Sequence, residues 1–200
     1  MGQAYLWSDE QGVSLLELLT VTALVAVISA ISMPIIGNAL AYFRVSGDAR
    51  SISNAIALVK IRAASSFTQV RLYADLTGRT HRIELWNKAT SQWTTDGGTN
   101  SLASNVVFGV SGIGNAPPNT QGAIGQAPAC TDNAGAAIAN TSCATFNSRG
   151  APVDSTGAPT ALDAFYVTDG AVVYGVTVSA TGMTRNWQAK PAATTSWVQQ

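Results

Sequence analysis

Charge is scarce in this chain. Asp, Glu, Lys and Arg make up 11% of its 200 residues, eleven of each sign, and the net charge is zero. That excludes a broad basic surface of the kind nucleic acids require. With hydrophobic residues at 46%, it excludes disorder as well. Histidine is scarcer still. The single one, His81, falls in an alternating segment between Arg79 and Arg82, with no Cys, Asp or Glu placed to complete a catalytic or zinc set. No enzyme is visible, and no cofactor or metal is implied.

Cysteine is limited to Cys130 and Cys143, inside a stretch rich in Gly, Ala, Asn and Thr. Two are too few for structural zinc, and their spacing excludes a C-x-x-C redox pair. An even count behind an export-like N-terminus favours one disulfide closing a loop of about 14 residues, worth about 3 kcal/mol in the chain-entropy model. Two buried thiols are the alternative. Other short patterns are equally plain. "GIGNAP" (112–117) has Pro117 where a dinucleotide fingerprint needs glycine. Asp132, Asn133 and Gly135 suit an Asx turn, since their spacing departs from an EF-hand loop. Asn140-Thr141-Ser142 fits a glycosylation sequon, a match three residues often make by chance.

What the chain does have is an apolar run long enough to cross a bilayer. From Val13 to Ile36 its only ionisable side chain is Glu17. About 20 apolar residues suffice to span. A charge at the centre of a membrane helix costs roughly 2.5–3.5 kcal/mol on insertion scales, and a carboxylate near the end costs less. Three readings compete. A signal peptide cut after Ser29-Ala30 would want a basic n-region, whereas "MGQAYLWSDEQ" holds two acids and no Lys or Arg. An uncleaved anchor explains the length but leaves Glu17 without a purpose.

The third reading uses the odd residues. "G-V-S-L-L-E", Gly12 to Glu17, resembles the processing motif of type IV prepilins and type II secretion pseudopilins. The resemblance implies cleavage after Gly12 by a prepilin peptidase that also N-methylates Val13. It implies a glutamate fifth in the mature chain, here Glu17, and often a proline at the twenty-second position, here Pro34. In that family the Glu17 carboxylate of one subunit meets the Val13 amine of a neighbour, two buried charges that offset each other only when paired. First-residue Val replaces the commoner Phe or Met. The acidic leader leaves orientation open on charge alone, and with Arg44 and Arg50 beyond the span it points to a start codon upstream.

Beyond the apolar run, Pro34 and Gly37 predict a kink or a locally melted turn. Helical period then returns. Ala49, Ile52, Ile56, Val59, Ala63 and Phe67 follow at three- and four-residue steps, one stripe for a head domain. After Phe67 the period changes to two. "TQVRLYADL" (68–76) sets Val70, Leu72 and Ala74 against Arg71 and Tyr73. "RTHRIELWNK" (79–88) sets Ile83 and Leu85 against Arg82, Glu84 and Trp86, with a Thr77-Gly78 turn between. Further strands are expected at 105–110, 144–148, 163–168, 171–179 and 183–188, with Asp169-Gly170 as a hairpin turn. Residues 95–142 read as long exposed loops around one strand.

The fold class is therefore α+β: a long N-terminal helix, then an antiparallel β head. Its expected parts are a leader at 1–12, a transmembrane and filament-core half at 13–37, an amphipathic half at 38–67, and a β-rich head at 68–200. The order is similar to the GspH/FimT family of pseudopilins and minor pilins. The resemblance implies a structural subunit of a type IV pilus or type II secretion pseudopilus, anchored once in the inner membrane with a periplasmic head. Its partners would be the prepilin peptidase and N-methyltransferase, other pilins or pseudopilins, and the inner-membrane assembly platform. Some FimT-branch members bind DNA for uptake through a Gly-Arg-x-Arg hairpin. Here the stretch reads Gly182-Met183-Thr184-Arg185, so the first arginine is missing. Arg185 remains, with Lys190 and Arg149 as possible neighbours and Trp187 as a candidate base-stacking surface. So few cations imply weak, salt-sensitive binding.

Overall fold

The computed structural model describes residues 12–161, 163–191 and 196–200. Residues 1–11 of the expected leader lie outside them. The chain divides into two compact units, Met1–Leu40 and Ala41–Gln200. Among the described residues, one helix, α1 (Leu15–Ser66), is followed by ten strands. α1 is helical without interruption through Pro34 and Gly37, so the melted turn expected there is not formed. Proline removes one donor, yet its fixed φ near −65° is itself helical.

In Ala41–Gln200 the helical stripe is the organising surface. Val45, Ala49, Ile52, Ile56, Val59 and Ala63 are between 0% and 2% exposed. Phe67 does not belong to it. It lies just past the helix in the left-handed region, φ 48°, with its side chain 74% exposed. Lys88 Nζ donates to its carbonyl at 2.6 Å, satisfying an acceptor left over at the helix end.

Two antiparallel sheets share this core. The first joins β1 (Val70–Asp75), β2 (Thr80–Asn87), β3 (Gln92–Ser101), β5 (Thr141–Phe146) and β6 (Pro152–Val153), in the order β3-β2-β1-β5-β6. The second joins β4 (Val107–Phe108), β7 (Asp163–Thr168), β8 (Val173–Val178), β9 (Thr184–Ala189) and β10 (Val198–Gln199), in the order β10-β9-β8-β7-β4. Val70, Leu72, Ala74, Ile83, Ala144 and Phe146 of the first sheet, with Phe165, Val167, Val176 and Val178 of the second, join the helical stripe in one apolar cluster. The far face of the second sheet has a smaller cluster of Ile113, Ala164, Tyr166, Val173 and Ala189. Gly175 pairs with Tyr166 across β7 and β8, and a Cβ at Gly175 would stand 2.7 Å from the tyrosine ring. The aromatic ring needs that bare backbone.

Several expectations shift. Residues 92–101 form a strand, although 95–142 read as loop. β3 is an edge strand whose Thr, Asp, Gly and Asn side chains are mostly exposed, so pairing with β2 holds it and no apolar alternation announces it. The strand expected at 105–110 contracts to two residues. The one expected at 144–148 begins at Thr141, because Thr141, Ser142 and Cys143 pair with β1. Their polar groups are met by the preceding loop: Ser142 Oγ donates to the Ala127 carbonyl, and Cys143 N to that of Pro128. The loops are not simply exposed, since Ile113, Ala127 and Cys130 are buried. Cys130 and Cys143 are joined by a disulfide.

One turn recurs four times: Asp132–Gly135, Asn147–Gly150, Asp154–Gly157 and Ser179–Gly182. In each, the first residue's backbone N donates to the carbonyl four residues on, and the glycine N donates back to the first residue's carbonyl. In each, the side-chain oxygen accepts from the backbone N four residues on. The glycine has φ between 74° and 89°. An Asx or Ser side chain imitates the missing backbone acceptor, and glycine supplies the left-handed residue.

Two buried titratable groups set opposite pH trends. His81 is 2% exposed, with Nε2 3.4 Å from Ser51 Oγ, and burial pushes its pKa below 6.5. The unfolded chain therefore protonates first, and His81 withdraws stability as pH falls below 6.5. Asp163 is 4% exposed, and burial raises its carboxyl from 3.8 to about 6. Its contribution is full below 3.8 and is lost as pH rises through about 6, a cost of about 3 kcal/mol at neutral pH. Denaturant titrations check both. The His81→Leu variant should gain on the wild type as pH falls from about 7 to about 5, by up to ~1.4 kcal/mol per pH unit. Asp163→Asn should gain as pH rises from about 4 to about 7. Parallel curves would contradict the assignments.

Candidate functional site

The first candidate is the N-terminal part of α1. Leu15–Met33 has a mean hydropathy of 2.2, and none of it is buried. Leucines, valines and isoleucines on every side, among them Leu16, Leu19, Leu24, Val27 and Ile31, are more than half exposed. A helix apolar all round is suited to lipid or to the interior of an assembly. Three of its hydroxyls are turned inward on their own backbone: Thr20 Oγ1 donates to the Glu17 carbonyl, Thr22 Oγ1 to Leu19, and Ser32 Oγ to Ile28. Such back-bonding makes a hydroxyl tolerable without water.

Glu17 is the exception. It stands in the first turn of α1, exposed, where a carboxylate suits the helix dipole. Ser14-Leu15-Leu16-Glu17 also spells a capping box, which would occupy the carboxylate locally. The Ser14 carbonyl does accept the first helical bond, from Leu18 N. The reciprocal side-chain bonds between Ser14 and Glu17 are not formed among the described residues, so a local cap does not account for the acid. Gly12 and Val13 precede the helix, with Val13 71% exposed. Pro34 lies within it. Ala41–Gln200 has exposed apolar side chains of its own on α1, among them Phe43, Leu58 and Ile61, 67%, 43% and 64% exposed.

The second candidate is the β8–β9 hairpin. Arg185 and Lys190 are exposed. The turn carrying Gly182 packs on the one carrying Arg149: a Cβ at Gly182 would lie 2.7 Å from the Gly150 carbonyl, and Lys60 Nζ donates to the Gly182 carbonyl at 2.6 Å. Lys60 of α1 thus reaches the turn at Gly182, a proximity that sequence distance concealed. Trp187 is otherwise placed. It is 6% exposed, and its Nε1 donates to Thr177 Oγ1 at 2.9 Å. A ring so enclosed offers no face to a base. Trp187 pairs with Gly175 in register, and its indole is tied to Thr177 on the same neighbouring strand. The Asp132 turn is filled by its own backbone donors from Ala134 and Ala136. Among the described residues no group of three or more His, Cys, Asp or Glu could hold a metal.

No family model and no curated protein matches this chain. Among solved structures, it is similar to the minor pseudopilin EpsH from the Type 2 Secretion System of Vibrio cholerae. Identity is 8% and the TM-score 0.37, over 78% of this chain and 96% of that one.

A structural role for Trp187 predicts a stability loss. Trp187→Ala should cost about 3–5 kcal/mol in urea unfolding, the range for emptying a core indole site. A loss below about 1 kcal/mol would mean that the ring is not packed as described.

Proposed function

We propose that the protein is a pilin-like structural subunit, a minor pilin or pseudopilin. It is made as a precursor, cut between Gly12 and Val13 by a prepilin peptidase, and N-methylated at Val13. It is held by α1 in the bacterial inner membrane with its β head in the periplasm, where an oxidising milieu suits the Cys130–Cys143 bond. From there the assembly platform inserts it among other pilins or pseudopilins. The observation that carries the reading is α1 itself. From Leu15 to Met33 it has apolar side chains exposed on all sides and one carboxylate, five residues after Gly12.

The physical role of Glu17 follows. Removing Gly12 would free an ammonium at Val13, in or near hydrocarbon. Each charge alone is costly there, and each offsets the other when they pair between subunits. A subunit is then stable only at the depth where its acid meets an amine, which fixes register along the fibre. In this reading no step of chemistry is asked of the head. The DNA-uptake alternative is the weaker one, since Trp187 is enclosed and only Arg185, Lys190, Arg149 and Lys60 are available near the hairpin.

N-terminal sequencing of the protein from membranes should yield N-methylated Val13. An N-terminus at Ile31, or an intact Met1, would refute processing. Glu17→Ala should be cut normally yet enter filaments at least roughly tenfold less, the loss expected when one buried ion-pair partner is missing. Unimpaired incorporation would remove the pairing argument.

A further inference from the structure

The face of the first sheet turned away from α1 bears a cleft of about 330 Å³. Period two puts it there: once Val70, Leu72 and Ala74 meet the helix, Arg71 faces the other way, with Glu84, Trp86, Trp93 and Thr145 beside it through the strand registers. Two of the recurring turns wall the cleft, Asp132–Gly135 from the disulfide loop and the one beginning at Asp154. Asn133 Oδ1 accepts from Trp93 N at 2.9 Å, fixing the first wall to β3. Asp163, at the start of β7, also lines the cleft.

The charges do not balance. Among the described residues, Arg71 is the only cationic side chain lining the cleft. It is already committed: Nε and Nη2 reach Glu84 Oε2 at 2.8 and 2.6 Å, Nη1 donates to the Thr131 carbonyl, and its guanidinium lies 3.9 Å from the Trp93 ring centre. Facing it are three carboxylates. Asp132 and Asp154 satisfy their turns through Oδ1 alone among the described residues. Asp163, 96% buried, accepts no hydrogen bond among the described residues, yet its side chain borders open volume. A buried carboxylate beside a cleft has no local reason to be there.

We propose that this cleft binds a primary alkylammonium group. Asp163 accepts its N–H donors, Asp132 and Asp154 supply further negative potential at the rim, and Trp86 offers an aromatic wall for the methylene stem and the cation. The ammonium is either that of a free amine or that of a lysine side chain on a partner protein. The site is independent of the filament reading, because none of its residues lies in α1.

Calorimetry on the full chain in non-ionic detergent micelles tests it, with cadaverine as the free amine and an N-acetyl-lysine amide as the side-chain probe. Saturable binding of either probe near neutral pH is expected. Preference for the second would assign the site to a protein lysine, and preference for the first to a free amine. Asp163→Asn should weaken binding roughly tenfold or more. Binding to the wild type should fade as pH drops well below about 6, where Asp163 is neutral, while Arg71 keeps its charge and Asp154, held down by its turn hydrogen bonds, stays ionised longer. Asp132→Asn with Asp154→Asn keeps both turns, since Asn makes the same turn, and should weaken binding several-fold. This second variant covers the case in which Asp163→Asn fails to fold. No saturable heat with either amine would overturn the proposal. So would unchanged affinity in these variants, or binding of methyl glucoside or calcium in place of the amines.

Discussion

The stripe on α1 from Val45 to Ala63 has one way out of water, and the two sheets provide it. Six side chains on one helical face are removed from solvent together, each apolar, each at the step that a 3.6-residue turn demands. Sheet faces are assigned by that contact. β1 must turn Val70, Leu72 and Ala74 to the helix, so Arg71 and Tyr73 have no choice but the opposite side, and β2 and β5 follow through their registers. The Arg71–Glu84–Arg82 triad, with Arg71 and Glu84 buried and Arg82 half-buried, is a consequence of the stripe as much as the apolar core is. Both arginines reach one carboxylate, Arg71 on Oε2 and Arg82 on Oε1, which is how a charged group is tolerated at 5% exposure.

Much of this was legible from period alone. The stripe, the alternation of β1 and β2, the turn at Asp169-Gly170 and the bounds of β7 all carry a local signal that agrees with the tertiary contact. The α+β order, helix first and antiparallel sheets after, is what the structure has. The misses share a cause. β3, β6 and β10 are edge or two-residue strands whose stability comes from a neighbour's backbone, and a single sequence does not state which neighbour is near. Thr141 and Ser142 look like loop residues because their polar groups are answered by Ala127 and Cys130, eleven or more residues away. Trp187 looked available because its hydrogen-bond partner, Thr177, lies on another strand, ten residues back. Phe67 kept the helical step but stood one residue past the helix.

The N-terminal portion of α1 presents the opposite case, apolar residues with no inside. Between Leu15 and Met33 no face is favoured, so the burial that organises the rest of the chain has nothing to select there. Thr20, Thr22 and Ser32 are closed on their own carbonyls, which leaves the segment without an outward-seeking hydroxyl at those positions. Such a surface is stable only in an environment that this chain does not itself supply, whether lipid or like helices. In the proposed reading, Glu17 is the group by which one depth in that environment differs from another.

A charge-poor sequence makes its acids easy to account for one at a time. Among the eight between Ala41 and Gln200, Asp48 accepts from Ala103 N, Asp75 from Gly78 N, and Glu84 holds two arginines. Asp96 meets Arg62, and Asp132, Asp154 and Asp169 each close a turn. Seven thus have structural work that is visible within a few ångströms. Asp163 has none among the described residues, is almost wholly buried, and lowers stability at neutral pH by its ionisation alone. Asparagine would fill the same space without that cost. Within Ala41–Gln200 the other seven carboxylates are answered locally, and Asp163 is the one that the proposed ammonium site would engage. The cleft beside it is where the ammonium would reach the carboxylate.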